Sequence, residues 1–320
     1  MTLNEIIVSN IESRLPAKIR PSKYIADLLF IEREAAYRRI SGFVPFTFSE
    51  IVTIAIDLGL SIDNIIEQHP KNNFVKFNMK IDLNKKNSEI YFDMLQDTAN
   101  TIKELNLVKK LNIMLAINRI PWMCLSSPTL FKFEYYRYLH SCNELQSTTT
   151  FGDIEVPEEI LEQQKQVAFY CSQLSNITCV IDNDIISRTL KELLYYYERK
   201  SLNYDDLQQI KKEFLEFINT VAKTNILGYN DYGVKYELYL SNLCIDTNCA
   251  YYNYDGREME QIWIYYEKPI TIQNSKTVAQ LHKRYIKNRI KCSTPLTGSN
   301  DLLRAQFYEA IKQNINEVLP

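Results

Sequence analysis

The chain of 320 residues is 46% hydrophobic and 24% charged, a composition that is typical of folded domains and excludes an intrinsically disordered chain. Its formal charge of −2 and its pI near 6.1 exclude a uniformly basic protein that coats nucleic acid. The length is sufficient for two domains, and no apolar run approaches the roughly 20 residues that a membrane-spanning helix needs.

Three short helices are predicted at the start of the chain. The first covers residues 3–15 and ends before Pro16. The second covers residues 22–30 and carries its apolar side chains on one side. The third lies within residues 32–41, where only Ala36 and Ile40 can face a core, and Gly42 ends it. Its remaining side chains are mostly polar and leave an arginine-bearing outer face.

The next segment begins with a capping box, because the carboxylate of Glu50 can reach the backbone amide of Thr47. The helix that follows ends at Gly59, and Ser61 can begin another. Charge is unevenly distributed here. Residues 14–40 carry seven basic and three acidic side chains, whereas residues 41–68 carry four acidic and no basic ones. The sequence therefore predicts a polarised helical bundle with its positive end around the second and third helices.

The stretch from Pro21 to Ile66 resembles the lambda-repressor-like helix-turn-helix family, of the Xre type, and with the helix before it the resemblance covers residues 3–68. Ala26 occupies the small-residue position where the two motif helices touch, and Ile31 opens the second of them. The sequence departs from the family pattern at the turn, where Phe30 replaces the usual glycine, and inside the second helix, where Ala36 replaces a valine or isoleucine. The order of the helix ends along the stretch also fits: Arg38-Arg39-Ile40-Ser41-Gly42, Pro45, and Leu58-Gly59-Leu60-Ser61.

The resemblance implies a transcriptional regulator that binds double-stranded DNA with residues 32–40 in the major groove. Four side chains would then reach base edges, since arginine suits guanine and a glutamate suits cytosine: Arg33, Glu34, Tyr37 and Arg38. Three other residues would hold phosphates: Ser22, Lys23 and Arg39. One such domain reads too few base pairs, so a homodimer on a two-fold site is expected. The alternative is a protein-interaction scaffold that uses the motif as a docking module.

Domain boundaries are predicted at residues 1–70, a linker at 71–87, and a second domain at 88–320 for dimerisation or for sensing a small ligand or a protein partner. A helical pattern runs through residues 88–120 until Pro121. Further helices are predicted over residues 126–139, 157–174, 204–223, 276–291 and 300–318, with another ending at residue 200. A strand over residues 234–241 and a hairpin around Asp255-Gly256 complete the prediction. We therefore expect a mainly α fold with a small antiparallel sheet.

Motifs for catalysis are missing from the sequence: it has no phosphate-binding glycine loop, no zincin helix and no nucleophile elbow. The seven cysteines form no C-x-x-C pair and the three histidines are far apart, so neither a metal nor another cofactor is expected. The first residues do not form a signal peptide. These features predict a cytoplasmic protein with reduced thiols that is not an enzyme and has no membrane partner.

Overall fold

A computed structural model describes residues 2–16, 19–67, 84–121, 124, 126–265, 268–273, 276–298 and 300–320. The chain divides into two compact units, Met1–Lys76 and Phe77–Pro320. Most of the linker predicted at residues 71–87 lies outside the described residues, and a helix already begins at Asn87.

The N-terminal unit contains five described helices around one small core. They are α1 (Leu3–Arg14), α2 (Pro21–Leu29), α3 (Arg33–Ile40), α4 (Phe48–Leu58) and α5 (Ile62–Glu67). Every helix contributes to the core, and its two alanines lie on α2 and α3, which pack closely against each other. The core residues are Ile6, Ile7, Ile11, Ile25, Ala26, Ala36, Phe46, Ile54 and Ile65. Small side chains at this contact let two short helices approach without a large apolar face.

The C-terminal unit is built on a seven-stranded mixed sheet with strand order β6-β5-β4-β1-β2-β3-β7. Its first half comprises α6 (Asn87–Asn106), β1 (Leu111–Ile117), α7 (Pro128–Ser141), α8 (Glu158–Gln173), β2 (Ile177–Asp182), α9 (Ser187–Glu198) and α10 (Tyr204–Leu227). Its second half comprises β3 (Tyr236–Ser241), β4 (Cys249–Tyr254), β5 (Arg257–Tyr265), β6 (Lys268–Gln273), α11 (Lys276–Lys291), β7 (Ser293–Pro295) and α12 (Asp301–Val318).

The predicted mainly α fold with a small antiparallel sheet is wrong for this unit. Strands β1, β2 and β3 are parallel neighbours that are joined by helical crossovers, as in α/β folds. Residues 88–120, predicted as one helix, form α6 and then β1. The reason lies in burial: Ile113, Met114 and Ala116 are buried although neighbouring strand residues point to opposite faces. A strand covered on both faces has a nearly continuous apolar sequence, which resembles that of a buried helix.

The predicted hairpin is confirmed. Strands β4 and β5 pair antiparallel, with Tyr254 opposite Arg257. The two turn residues, Asp255 and Gly256, have φ of 47° and 83°. Positive φ at both central positions is the requirement of a type I′ turn, which an Asp-Gly pair meets well.

Helices cover both faces of the sheet. Met114, Ala116, Val180 and Tyr251 share a core cluster with α11, which contains the buried Ala279. The opposite face carries two further clusters, one with α6, α7 and α8 and the other with α7, α9, α10 and α12. The C-terminal unit is therefore a three-layer structure in which most helices lie on one side.

Candidate nucleic-acid interface

The turn between α2 and α3 has the left-handed backbone that the helix-turn-helix resemblance requires. Phe30 adopts φ 54° and ψ 42°, and the amide of Ile31 donates to the carbonyl of Ala26 at 3.1 Å. The Phe30 ring is 95% exposed, so it contributes little packing energy in return. A left-handed conformation costs a residue with a Cβ atom roughly 1–2 kcal/mol. The absence of the family's glycine is thus accommodated by strain at Phe30.

The inner side of α3 is held by a few contacts. Ala36 is fully buried in the core, and Ile40 packs at its edge. At the C-terminal end of the helix, the side-chain amide of Asn4 on α1 donates to the carbonyl of Arg39 at 3.0 Å. The same carbonyl also accepts a hydrogen bond from the amide of Gly42 at 3.1 Å, so the Asn4 bond ties the end of α3 to α1. The position of α3 is therefore fixed at both its middle and its end.

The outer side of α3 carries the four residues that were predicted to reach base edges. Arg33, Glu34, Tyr37 and Arg38 are all exposed, and Tyr37 is 60% exposed. Within the described part of the chain, none of these four side chains makes a hydrogen bond or an ion pair. The helix thus presents donors, an acceptor and an aromatic ring that are available to an external partner.

Arg39 is placed differently from its neighbours. Its guanidinium folds against α4, where Nε donates to both carboxylate oxygens of Glu50 at 3.0 and 3.1 Å and Nη1 donates to the carbonyl of Ala35 at 3.2 Å. Burial alone would raise the pKa of Glu50, but the bonds from Arg39 and from the Thr47 amide outweigh it and lower that pKa. This geometry makes Arg39 a positioning residue between two helices, and the phosphate contact predicted for it stays a prediction.

Residues of α2 and α3 surround a concavity whose volume is about 1020 Å³. It brings together five of the seven predicted contact residues: Ser22, Lys23, Arg33, Glu34 and Tyr37. Arg38 lies outside this lining although it is exposed on the same helix. The other lining residues lie just before α2, on α2 itself and on α4: Ile19, Arg20, Tyr24, Asp27, Leu28 and Asp57.

The charges around this concavity have both signs. Arg20, Lys23 and Arg33 face three carboxylates, and one of these, Asp57, accepts a hydrogen bond from the Tyr24 hydroxyl. Burial and the neighbouring Asp57 raise the pKa of Tyr24, so its hydroxyl remains a donor. Sequence analysis missed Asp57 because it lies 33 residues from Tyr24 and only the fold brings the two together. A surface that carries charges of both signs is better suited to selective hydrogen bonds with base edges than to uniform attraction of phosphates. The sequence also makes Lys18 and Arg20, just before α2, candidate phosphate contacts, and Lys18 lies outside the described residues.

The helix N-termini of this unit fall into two classes. Helices α1 and α4 begin with capping boxes, in which Thr2 pairs with Glu5 and Thr47 with Glu50. Helix α2 begins at Pro21 and α3 after Glu32, and neither start has a side-chain cap. Uncapped N-terminal amides attract anions because they combine free donors with the positive end of the helix dipole. Ser22 and its amide lie in this first turn of α2.

Two other features, a metal site and a membrane-spanning helix, are not found in the part of the chain that the structure describes. It contains no cluster of histidine, cysteine and carboxylate side chains that could hold a metal ion. None of its helices combines the length and the apolar character that crossing a membrane requires. Comparison of the chain with models of protein families, with curated proteins and with solved structures finds no match.

Proposed function

We propose that the chain is a sequence-specific regulator of transcription that binds double-stranded DNA as a homodimer, with α3 in the major groove. The observation that carries this proposal is the outer side of α3, where Arg33, Glu34, Tyr37 and Arg38 are exposed and make no bonds among the described residues. A short, rigidly held helix with such a face has the dimensions and the chemistry of a recognition helix.

The roles of the individual residues follow from their chemistry. Arg33 and Arg38 can each bond guanine at O6 and N7, and Glu34 can accept a hydrogen bond from the amino group of cytosine. Lys23 and the backbone amide of Ser22 lie at the uncapped start of α2. There they are suited to bind a DNA phosphate at the edge of the groove that α3 enters. Arg39 acts indirectly, because its bonds to Glu50 keep α3 at the correct angle.

A homodimer and a cytoplasmic location belong to the same proposal. One helix of eight residues contacts only a few base pairs, which gives too little discrimination against the rest of a genome. Two copies related by a two-fold axis would read two half-sites about one helical turn of DNA apart. The location proposed here is the cytoplasm, where such a regulator would meet its DNA.

The proposal is tested by selecting bound fragments from random-sequence duplex DNA with the full-length protein. We expect an enriched sequence with two-fold symmetry, and an affinity for it that decreases steeply as the salt concentration rises, because phosphate contacts release counterions. The double variant Arg33→Ala/Arg38→Ala should lose this affinity. Its matched control is Arg14→Ala, an exposed arginine at the end of α1 that does not line the concavity.

Two outcomes would contradict the proposal. One is the absence of an enriched sequence, together with DNA binding that is no tighter than that of an unrelated protein of similar charge. The other is a double variant that binds the selected DNA as tightly as the parent. Either outcome would favour the alternative of a protein-docking module, in which the face of α3 is covered by another protein.

A further inference from the structure

The C-terminal unit contains a cavity of about 770 Å³ on the helical side of its sheet. This volume lies within the range of small-molecule sites, which is roughly 300–1,000 Å³. Among the described residues, the cavity is bounded by α6, by the middle strand β1, by the end of α8 and by α10. Shorter stretches complete the described lining: Pro121, Cys124, Ser126 to Pro128, and Asn230 to Tyr232. All of these elements belong to one unit.

The floor of the cavity is an unfilled part of the core. Leu115 and Ile117 lie on β1, the central strand of the sheet, yet both remain partly exposed, as does Ile177 on the adjacent strand. Protein interiors are packed about as densely as organic crystals, so apolar side chains at the centre of a sheet are normally covered. Here the two core clusters of the helical face flank a space that none of the described side chains fills.

The threonine hydroxyl groups on the two helical walls are already used by the protein. Thr98 and Thr101 on α6 donate to the carbonyls four residues earlier, at 2.7 and 2.8 Å. Thr220 and Thr224 on α10 do the same at 2.9 and 2.8 Å. These donors are therefore not available to a ligand, and the threonines offer mainly their carbon atoms and weak acceptors.

The titratable groups at the inner end are neutral. A hydrogen bond with Cys124, followed by burial, raises the pKa of the Cys171 thiol well above its usual range. Burial likewise raises the pKa of Tyr252, whose hydroxyl donates to Gln261 at 2.8 Å. These groups would stabilise neither an anion nor a cation, because none of them is ionised at physiological pH.

Charged side chains lie only at the outer part of the lining. Lys212, Glu216 and Asp231 are exposed. Glu213 is partly buried, and its carboxylate accepts hydrogen bonds from the amides of Thr129 and Leu130 at 2.9 and 3.3 Å. An apolar interior with charge confined to the entrance excludes a ligand that must bury a charge, since no partner for that charge is present inside.

We infer that this cavity is the binding site of one uncharged, predominantly apolar small molecule. Burial of such a molecule against Leu115, Ile117 and Ile177 would be driven by the hydrophobic effect, and dry cavities lined by aliphatic side chains are known to bind aromatic compounds. The inference does not rest on the proposed DNA binding, because it uses only residues of the C-terminal unit.

The test is a fluorescence titration of the full-length protein with 1-N-phenylnaphthylamine, an uncharged probe that emits strongly in apolar surroundings. We expect saturable binding of one equivalent, and at least tenfold weaker binding of the related sulfonate, 1-anilinonaphthalene-8-sulfonate, because the cavity offers its charge no partner. Val221→Trp, which places a large ring from α10 into the cavity, should weaken binding of the uncharged probe at least tenfold. Ile226→Trp, at a 64% exposed position outside the lining of the same helix, should bind like the parent.

A second variant keeps the test decisive if Val221→Trp does not fold. Thr98→Phe fills the opposite wall from α6 and should have the same effect, with the circular dichroism of the parent as the criterion of folding. The inference is overturned if the parent shows no saturable binding, if the sulfonate binds as tightly as the uncharged probe, or if a folded cavity-filling variant binds the uncharged probe as tightly as the parent.

Discussion

The two units of the chain use the same residue type in opposite ways. In the N-terminal unit, Arg33 and Arg38 are exposed on a helix that a nine-residue core holds in place. In the C-terminal unit, Arg119 and Arg137 are drawn inward, with side chains that are only 13% and 16% exposed, while a nearby cavity is lined by apolar groups. Arg33 and Arg38 are thus available to an external partner, whereas Arg119 and Arg137 contribute to the packing of the C-terminal unit. The comparison shows that a count of charges does not separate available side chains from structural ones, whereas the burial of each charge does.

The buried arginines form a four-member network. Arg119 contacts Glu134 at 3.0 Å and Glu192 at 2.7 Å, and Arg137 contacts Glu134 at 2.5 Å. Burial alone would raise the pKa of Glu134, but the guanidinium groups of Arg137 and Arg119 outweigh it and lower that pKa. Because a lowered folded-state pKa stabilises the protein above the usual pKa of the carboxyl group, this contribution is lost as the pH falls through the folded-state value.

Neutralising Glu134 should therefore have the largest effect on stability. Glu134→Gln removes the buried carboxylate that both guanidinium groups contact, although Glu192 still contacts Arg119 at 2.7 Å and Arg137 at 3.6 Å. We expect it to lower the free energy of unfolding by about 3 kcal/mol, the lower end of the cost of breaking a buried ion pair. Urea denaturation at neutral pH measures this change. Glu162→Gln removes an exposed partner of Lys165 and should have little effect. If the two variants unfolded at the same urea concentration, burial would not determine which charged residues stabilise this unit.

A second buried carboxylate, that of Glu260, should change the stability with pH in the opposite direction. Glu260 on β5 is 1% exposed, and its two oxygens have no hydrogen-bond partner among the described residues. Burial, and then the neighbouring Glu258, raise the pKa of Glu260 from 4.5 to about 7. The folded state therefore holds a proton that the unfolded state releases between these values, so stability should decrease as the pH rises from 4.5 to 7.

Glu260→Gln should remove this dependence. Above pH 7 the variant is expected to be more stable than the parent by roughly 2–3 kcal/mol, with the difference vanishing below pH 4.5. Urea denaturation across that range measures it. Glu104→Gln, at an exposed position on α6, should follow the parent at every pH. A parent whose stability is flat or increases from pH 5 to 7, unaffected by Glu260→Gln, would contradict the assignment.

The strained turn of the N-terminal unit should give the smallest effect. Phe30→Gly relieves the left-handed conformation and removes a ring that makes little contact, so we expect the free energy of unfolding to increase by about 1 kcal/mol. Thermal unfolding of the full-length protein measures the gain. Phe43→Gly offers the control, because Phe43 is also exposed but does not have a positive φ. A gain of the same size at Phe43 would show that the effect is not due to the turn.

The N-terminal unit was largely predictable from local signals. The capping box of Thr47 and Glu50, the helix end at Gly59 and the inner face of Ala36 all involve residues within a few positions of one another. Such signals depend on the helical period and on end caps, which a sequence displays directly. The sequence did not reveal the long-range pairing in this unit, in which Arg39 contacts Glu50, 11 positions away, instead of facing outward.

The C-terminal unit was less predictable because its order depends on distant contacts. Ile113 on β1 pairs with Ile177 on β2, and no local feature of either strand specifies this parallel register. The run LNIMLAI lacks the alternation that would distinguish a strand from a buried helix. The cavity could not be predicted either, because its lining combines residues from α6, β1 and α10 that are far apart in the sequence.

The most direct test of the proposed function compares two adjacent arginines on α3. With a duplex selected for binding, Arg38→Ala should weaken DNA affinity by about 1–3 kcal/mol, roughly 5- to 150-fold, without changing the unfolding midpoint. Arg39→Ala breaks the bonds to Glu50 and should lower that midpoint. An Arg38→Ala variant that binds the selected DNA with the parent's affinity would contradict the assignment of α3 as the helix that reads DNA.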